Sequence, residues 1–522
     1  MSTRDRTMHR RASLLAAVAA AVVLLSTPGW AQDAKAFEKN LTVHKLKNGL
    51  TVLIYHRPVA PVFSFFTHVD VGGAQEVPGI TGLAHMFEHM AFKGTSVIGT
   101  KDYAGEKVAL AKVDEAYLAY DVARRKPGGS NPASLDTLKK AWKDAQDAAD
   151  KFIEKNEFSM IVDREGGVGM NASTNSDETS YYYSLPANKL ELWAYLESSR
   201  FLDPVFREFY KERDVVMEER RLRTESTPTG RLFEQFIATS FLAHPYKQPV
   251  VGYMSDLQSF GMTDAEAFYK KYYVPANMTI ALVGDVDPAE AIPLIDKYFA
   301  RIPAAPKPEP LRTVEPAQTA EKEVVLVDPA QPAYLEAYHR PEETSADDVV
   351  YDVISQVLSS GRTSRMQRDM VRDKKIAVNV GVFAAFPGSK YPTLIAVQAI
   401  PAQGHTNDEV QAAVRAHLER LKTEPITDDE LKIVKTRAKA SLVRAFDNNS
   451  GIARRLAYTQ ARFGDWHEIF DYVDRLDKVT KDDVMRVAKA TFVATNRTVG
   501  RIENSETARA AATAAKREGD AR

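Results

Sequence analysis

Beyond residue 40 the chain alternates hydrophobic and polar positions, a pattern typical of half-buried β-strands. Residues 41–56, LTVHKLKNGLTVLIYH, form two such runs around the pair Asn48-Gly49, which favours a tight hairpin turn. Residues 61–72, PVFSFFTHVDVG, predict a further strand that ends in glycine. Helical spacing begins at Thr81, whose hydroxyl can cap a helix, and stops near Gly94. The pattern therefore predicts a hairpin, a strand and a helix, in that order.

Residues 101–155 carry a different pattern, which is helical and rich in alanine and charge. Apolar side chains recur at spacings of three and four on both sides of a breaker at 127–132. They are Leu110, Val113, Tyr117 and Tyr120 before the breaker, and Leu135, Leu138, Trp142, Ala145, Ala149 and Phe152 after it. We predict an inserted arm of two antiparallel helices. Its apolar seam either joins the two helices to each other, the usual case, or binds a partner.

The order of strands and helices predicts two domains of α+β class. Strand patterns return at residue 166, and the proline-rich stretch 303–322 is the best candidate for a linker. The first domain then covers 37–302, with the arm inside it, and the second covers 323–503. Strands and helices do not alternate strictly in either domain, which favours α+β over a parallel βαβ sheet. The last segment, 504–522, is rich in Ala, Arg and Glu and is expected to be flexible.

Residues 1–31 match the pattern of a secretory signal peptide. A start with four arginines precedes an apolar run from Ala12 to Leu25, which is too short to span a bilayer comfortably. Small residues then lead up to Ala31, where a signal peptidase would cut. RRASLL at 10–15 weakly indicates the twin-arginine route. We expect a periplasmic or secreted protein without a membrane span once the signal is removed; an uncleaved anchor is the alternative.

Charge and cysteine content exclude several classes of function. The chain has 69 basic and 70 acidic residues, so bulk charge does not drive binding to nucleic acid. It has no cysteine, which excludes disulfides and a thiol nucleophile. Any metal site in this chain must therefore use His, Asp or Glu.

The strongest chemical signal is His85-Met86-Phe87-Glu88-His89. Residues three and four apart share one face of a helix, so His85, Glu88 and His89 project together. Two imidazoles on adjacent turns can chelate Zn²⁺, and Glu88 can take a proton from the water beside it. The order H-x-x-E-H is that of the inverzincins. The alternative is a chance grouping on the surface of an amphipathic helix.

A catalytic zinc site needs a third protein ligand, and KERDVVMEERR offers candidates. Glu212 and Glu219 are seven residues apart and face the same way on a helix, whereas Glu218 points about 100° away from Glu219. One of the aligned pair could bind zinc while the other supports a ligand. The residues alone leave the choice between Glu212 and Glu219 open.

Three segments resemble the pitrilysin-type metallopeptidases, the family of insulin-degrading enzyme, mitochondrial processing peptidase and two-domain bacterial peptidases. They are GLAHMFEHMAFKGT (82–95), NASTNSDETSYYYSLP (171–186) and ERDVVMEE (212–219). The resemblance implies that Glu219 is the third ligand and that Glu212 supports the site. It also implies that Asn171, Ala172 and Thr174 belong to the edge strand on which the peptide substrate is laid.

The same resemblance implies a fold and an activity. The fold has two related halves, each with a mostly antiparallel sheet packed by helices, and zinc only in the first half. The activity is that of a zinc-dependent endopeptidase cutting peptides or unfolded protein segments, with Glu88 activating a zinc-bound water. A non-catalytic subunit of the same fold and a metal-dependent peptide-binding protein without turnover are the alternatives.

Two features depart from the family pattern. The arm separates the HxxEH helix from the third ligand, and we interpret it as a surface insertion that leaves the site intact. In the second half, SRMQRDMVRDKKIAVN resembles the segment with the family's substrate-holding Arg and Tyr. Arg372 matches the Arg, but Asn379 stands at the Tyr position. We therefore expect a dimer, either with a related two-domain chain that supplies a complete pair or with a second copy of this chain.

Overall fold

The computed structural model describes residues 29–504. The predicted signal peptide falls almost wholly outside this range, as does the predicted flexible tail. Within the range, no helix is both long and apolar enough to cross a membrane. Residues 43–504 belong to one compact unit that contains both halves of the fold.

Both halves mix strands and helices. In chain order the strands are β1 (Leu41–Lys45), β2 (Thr51–His56), β3 (Val62–Val69), β4 (Val168–Thr174), β5 (Thr179–Pro186), β6 (Met278–Gly284), β7 (Lys322–Asp328), β8 (Ala333–Arg340), β9 (Ala377–Phe386), β10 (Thr393–Pro401) and β11 (Arg497–Asn504). The helices up to residue 300 are α1 (Gly29–Glu38), α2 (Leu83–His89), α3 (Tyr103–Arg124), α4 (Pro132–Ala149), α5 (Glu157–Arg164), α6 (Leu190–Leu202), α7 (Phe209–Arg220), α8 (Pro228–Ser240), α9 (Met254–Leu257), α10 (Met262–Tyr272) and α11 (Pro288–Phe299). Those beyond it are α12 (Asp348–Ser359), α13 (Asn407–Thr423), α14 (Asp428–Ala445), α15 (Asn449–Phe463), α16 (Glu468–Lys478) and α17 (Lys481–Thr491).

The two sheets follow one plan. The first has the order β1-β2-β6-β3-β5-β4, and the second has the order β7-β11-β8-β10-β9. Without β1 the orders correspond strand for strand, with one parallel pair at the same place, β2 with β6 and β7 with β11. The other neighbours with a recorded register are antiparallel. The predicted fold class, two related α+β halves with mostly antiparallel sheets, is confirmed.

The helix predicted from Thr81 to Gly94 is shorter than expected. It runs from Leu83 to His89, and its N-cap is Gly82 with a left-handed φ of 96°. Thr81 does not cap it: its hydroxyl oxygen accepts instead from the backbone N–H of Tyr253 at 3.0 Å, and the hydroxyl donates to Asp256 Oδ2 at 2.7 Å. The carboxylate of a residue further back in the chain accepts hydrogen bonds from the start of the helix instead.

The carboxylate of Glu76 caps the N-terminus of α2. Its oxygens accept hydrogen bonds from the backbone N–H groups of Gly82 at 2.8 Å and Ala84 at 2.7 Å. Burial raises the pKa of Glu76 to about 8, against the lowering effect of these two bonds. A cap supplied by a loop residue ahead of the helix does not follow the local spacing rules for caps, so the sequence did not predict it.

Helices α3 and α4 form the predicted pair at 101–155. Tyr117 of α3 and Trp142 of α4 are buried, with ring centroids 5.2 Å apart. Both rings also contact Tyr210 of α7, at 4.4 and 5.3 Å. The seam therefore packs against the chain itself, on the helix that bears Glu219.

A buried ion pair fixes the base of the arm. Arg207 lies just before α7, and its Nε donates to Oε1 of Glu106 in α3 at 2.8 Å. Both side chains are almost fully buried. The same guanidinium donates to the backbone carbonyls of Lys93, Thr95 and Ile98. The interpretation of the arm as a surface insertion is thus incomplete, since its first turn holds together the loop after α2 and the approach to α7.

Each half supplies a helix that covers the sheet of the other half. Side chains of β3 alternate, so Phe65 packs on Trp193 of α6 while Ser64 faces the opposite side. On that side lies α15 from the second half, where Ser450 donates to Ser64 at 3.1 Å. On the second sheet, Phe236 of α8 packs so closely that a Cβ at Gly500 would lie 2.7 Å from its ring.

The predicted linker runs over both halves without forming a helix or a strand, and β7 begins at Lys322. The carboxylate of Glu315 accepts hydrogen bonds from the backbone N–H groups of residues 242–244, at 2.6 to 2.9 Å. Lys307 lies 3.2 Å from Asp70 of the first half, and Lys390 of the second half pairs with the same carboxylate. These contacts make the linker a packed segment.

The ion pairs of Asp70 lead to a stability prediction. Burial acts to raise the pKa of Asp70, but Lys390, His68 and Lys307 lower it to about 2. A lowered folded-state pKa adds stability above the ordinary value, and this stability is lost as the pH falls through about 2. Asp70→Asn is expected to reduce the free energy of unfolding by about 2 kcal/mol at pH 7.

Urea unfolding at several pH values measures this difference. The gap between wild type and Asp70→Asn should close between about pH 4 and pH 2. Asp474→Asn, at an exposed position on α16, is the control and should change stability by less than about 0.5 kcal/mol. If the two free energies of unfolding differed by the same amount at all pH values, the lowered pKa of Asp70 would be contradicted.

Candidate metal centre

Helix α2 turns one face to the core and the other to the site. Phe87 lies in an aromatic cluster, with its ring centroid 5.1 Å from that of Tyr273 and 5.6 Å from that of Phe206. The hydroxyl of Tyr181 donates to the carbonyl of Phe87 at 3.3 Å. Leu83 is fully buried. Because these contacts fix the rotation of the helix, His85, Glu88 and His89 are left on the opposite face.

Three donor side chains meet between α2 and α7. Oε2 of Glu219 lies 3.6 Å from Nε2 of His85 and 3.4 Å from Nε2 of His89. The two imidazole rings are nearly perpendicular, at 86°, with centroids 4.8 Å apart. All three ligand atoms lie within 4.8 Å of one another.

These separations fit a zinc ion. Bonds of about 2.0–2.2 Å in tetrahedral geometry place neighbouring ligand atoms about 3.4 Å apart. The two distances from Glu219 have this length within a few tenths of an ångström. Two imidazoles and one carboxylate are also a donor set that leaves a fourth position open, as in catalytic sites.

His85 is held in the form that a metal requires. It is buried, and burial together with the neighbouring His89 lowers its pKa to about 4. The ring is therefore neutral at pH 7 and offers a nitrogen lone pair. Its Nδ1 has no hydrogen-bond partner within the described part of the chain.

Glu212 faces the other nitrogen of His89. Its Oε2 lies 3.5 Å from Nδ1 of His89, while its Oε1 pairs with Lys93 at 2.6 Å. Burial acts to raise the pKa of Glu212, but the hydrogen bonds from His89 and Lys93 lower it overall. Lys93 is shared with Glu208, 3.0 Å away. Glu212 can thus fix the tautomer of His89 so that Nε2 presents its lone pair to the ion.

The second oxygen of Glu219 also has a fixed partner. Oε1 pairs with Arg223 at 2.5 Å, in the π-helical turn 221–225 that follows α7. Such turns are frequent at functional sites. Sequence reasoning missed Arg223 and Lys93. The spacing of four residues from Glu219 to Arg223 could have indicated their ion pair. The contact of Lys93 with Glu212 could not be predicted without the fold, because the two residues lie far apart in the chain.

Glu88 stands beside strand β4. Burial raises its pKa, and hydrogen bonding with Thr174 partly offsets this. The hydroxyl of Thr174 lies 3.5 Å from the carbonyl of Ala84, so the end of the strand rests on α2. Thr174, which the resemblance assigns to substrate binding, therefore contacts the carboxylate proposed as the base.

Strand β4 is an edge of the first sheet. It pairs with β5 on one side, and in the strand order it has no neighbour on the other. Asn171 is exposed along it, whereas Ala172 is buried. An unpaired strand edge can accept an extended peptide as an additional strand.

The structure places Arg372 at the surface of the second half. It lies in the π-helical segment 367–373 of the second half, exposed, and its guanidinium bonds Asp373 at 2.8 Å. Asn379 lies in β9, with its Oδ1 3.5 Å from Nε2 of Gln367. No recorded contact among the described residues joins Arg372 or Asn379 to His85, His89 or Glu219.

Comparison with known proteins identifies the family. Residues 51–119 match the model of the insulinase family, peptidase family M16, and residues 259–438 match that of the M16 inactive domain. The chain belongs to the M16 peptidases. Within that family it is of the pitrilysin type that the sequence motifs suggested. The inactive-domain match begins before β6, which is still part of the first sheet.

Named relatives of the chain are proteases. The zinc protease PqqE of Helicobacter pylori is 28% identical over 91% of this chain and 96% of its own length. An uncharacterized zinc protease of Mycobacterium leprae is 24% identical over 85% of this chain and 87% of its own. At the level of the family, these names support a peptidase that uses zinc.

Solved structures share the fold. That of a protease from Helicobacter pylori aligns with a TM-score of 0.73 and 25% identity, over 89% of this chain and 99% of the other. The periplasmic protease PqqL of Escherichia coli aligns with a TM-score of 0.64 and 18% identity, over 90% of this chain and 48% of its own.

The geometry predicts which glutamate of α7 matters for metal binding. Glu219→Gln is expected to reduce zinc affinity by more than about 100-fold, since even residues that only support ligands contribute about 10- to 100-fold. Competition with a chromophoric chelator measures the affinity. Glu218→Gln is the matched control, because Glu218 is exposed and pairs with Arg221. Equal zinc affinities for the two variants would contradict the assignment.

Proposed function

We propose that this chain is a zinc-dependent endopeptidase that hydrolyses peptides or unfolded protein segments. The observation that carries the proposal is the approach of Glu219 Oε2 to both imidazole nitrogens, at 3.6 and 3.4 Å, with Glu88 on the same face of α2. The family and the named relatives support the class of reaction.

His85, His89 and Glu219 would hold the ion, and Glu212 would orient His89. Zinc bound there acts as a Lewis acid and lowers the pKa of water. Glu88 accepts the proton of the attacking water and then delivers it to the nitrogen of the leaving amine. Thr174 orients the carboxylate of Glu88 for both transfers.

The substrate is an extended peptide that lies along the outer edge of β4. Backbone hydrogen bonds to an added strand depend little on side chains, so many sequences can bind. The strand ends at Thr174, beside Glu88, so a peptide laid along it passes the proposed base. A folded protein does not offer such a free strand, and the preference for peptides and unfolded segments follows from this.

Replacement of the proposed base tests this mechanism. Glu88→Gln is expected to lower kcat for an unstructured peptide by about 10²- to 10⁴-fold while zinc content stays equal to that of wild type. Cleavage by the variant at the wild-type rate would contradict the mechanism. If the zinc-loaded wild type binds peptides but does not cut them, the chain is a binding protein instead. Glu218→Gln is the control and should cut normally.

We propose further that the protein is exported, either to the periplasm or beyond it. The pattern of residues 1–31 supports this, and a fold relative, PqqL of Escherichia coli, is described as periplasmic. The length of the mature chain checks it, because cleavage after Ala31 should give an exported protein that begins at residue 32.

We propose also that the active form is a dimer. Arg372 lies on the second half, is exposed, and forms no contact with the metal ligands of its own chain among the described residues. A dimer could bring it to the site of another chain, where its guanidinium would hold the substrate. Because Asn379 replaces the expected Tyr, a related chain is the preferred partner, and a second copy is the alternative.

Mixing two inactive variants tests the homodimer. If Arg372 serves the other chain, Glu88→Gln and Arg372→Gln homodimers are each nearly inactive. Subunit exchange between them should restore about a quarter of wild-type activity, because about half of the dimers would carry one complete site. Absence of recovery with proven exchange would show that Arg372 does not act across a homodimer. Inactivity of the pure wild-type chain, relieved by a related chain, would favour the heterodimer.

A further inference from the structure

A cavity of about 800 Å³ lies where helices of the second half meet the turn between β4 and β5. Its walls come from α12, α14, α15 and α16 and from the turns at 175–178 and 384–389. None of the lining residues is a metal ligand, although the turn at 175–178 directly follows Thr174 at the end of β4. Its volume lies in the range of small-ligand sites, about 300–1,000 Å³.

One wall of the cavity carries arginines without salt-bridge partners. Arg454 and Arg455 lie on α15 and are exposed, so the cavity opens to solvent beside them. Neither side chain forms a hydrogen bond or a salt bridge with another of the residues 29–504. Arg454 acts electrostatically to lower the pKa of Glu178, and Arg455 acts to lower that of Asp352. These guanidiniums are free to bind a carboxylate.

A third arginine lies deeper in the same wall. The side chain of Arg462 is only 4% exposed. It pairs with Glu343, and its Nη2 lies 3.6 Å from Asp177. Its Nη1 has no acceptor among the described residues, although buried N–H groups are normally paired. The buried end of the cavity therefore holds an unused hydrogen-bond donor.

Helix α12 contributes carboxylates to the lining that are only partly compensated. Asp348 and Asp352 lie one turn apart on α12. Arg340 bonds Asp348 at 2.5 Å, whereas Asp352 accepts a hydrogen bond from Tyr472 at 2.6 Å and has no salt bridge in the described chain. Burial raises the pKa of Asp352, although Tyr472, Arg340 and Arg455 act to lower it. A cation beside this carboxylate would lower its pKa further.

We propose that this cavity binds a zwitterionic ligand, a free amino acid or a short peptide with both termini unblocked. The ligand's carboxylate pairs with Arg454 and Arg455, and its ammonium group pairs with Asp352. The proposal does not depend on the hydrolytic function, because none of the residues that carry it belongs to the metal centre.

The charge balance of the walls favours a zwitterion over an anion. The lining contains six carboxylates, from Asp177, Glu178, Glu343, Asp348, Asp352 and Glu468, and five guanidiniums, from Arg340, Arg454, Arg455, Arg462 and Arg475. A simple anion would gain from the arginines but would be repelled by the carboxylates at short range. A ligand with both charges can pair with the arginines and with the carboxylates at the same time.

The test uses three forms of one peptide and a chain that cannot cut it. Metal-free Glu88→Gln protein is titrated by calorimetry with tri-alanine, N-acetyl-tri-alanine and tri-alanine amide. Tri-alanine is expected to bind, and each blocked form is expected to bind at least about tenfold more weakly, a difference of about 1.4 kcal/mol. Because zinc and the base are absent, the outcome is independent of peptidase activity.

Substitutions then locate the site. Arg455→Gln and Asp352→Asn, each in the Glu88→Gln background, should weaken tri-alanine binding at least about tenfold. Arg444→Gln is the control, because Arg444 is an exposed arginine on the neighbouring helix α14 that does not line the cavity. Thermal unfolding of each variant shows that the fold is intact, and Arg455→Lys should recover part of the affinity.

Several outcomes would overturn the proposal. They are no saturable binding of tri-alanine up to about 10 mM, equal binding of free and blocked peptides, and equal binding by Arg455→Gln and the control. Displacement of tri-alanine by inorganic phosphate, together with unchanged binding to Asp352→Asn, would identify an anion site instead.

Discussion

The site depends on one constraint: two helices far apart in the chain must hold three donor atoms at bonding distance from a common point. Helix α2 supplies the imidazoles and α7 the carboxylate, and their separation tolerates little error because metal–ligand bonds vary by only about 0.2 Å. The buried pair of Arg207 and Glu106 meets this constraint by tying the loop after α2 to the approach to α7. Loss of one partner would leave a charge in the core, at a cost of about 3–5 kcal/mol. The arm thus belongs to the scaffold of the site.

Local spacing in the sequence predicted the features that depend on a single helix or turn. Features that depend on contacts between elements could be found only in the tertiary structure. The hairpin at Gly49, the pair of arm helices and the shared face of His85, Glu88 and His89 all follow from periodicity and turn chemistry. The choice between Glu212 and Glu219 did not, because both lie on one face of α7 and only the position of α2 distinguishes them. The cap of α2 was mispredicted at Thr81, because Asp256 and Glu76 come from other segments. The role of Arg462 was equally hidden, since its partners lie in both halves.

The two halves share a plan but differ in chemistry. Strand β9 holds the edge position in the second sheet that β4 holds in the first. In the first half the edge strand ends against α2, with Thr174 beside Glu88. In the second half the turn after β9 contacts the first half, where Asp177 accepts hydrogen bonds from the backbone of Ser389 and Lys390. The first half therefore carries the residues of the proposed reaction. The second half contacts the turn that follows β4, the proposed substrate strand.

The exchange of covering helices has a consequence for biosynthesis. Synthesis completes the first sheet long before α15, the helix that covers its outer face, has emerged. Until then the nascent protein carries an unprotected surface and cannot finish folding one half at a time. This delay would leave the first half open until α15 has been synthesised. It would also make the chain dependent on holding chaperones until this helix, close to the C-terminus, has emerged.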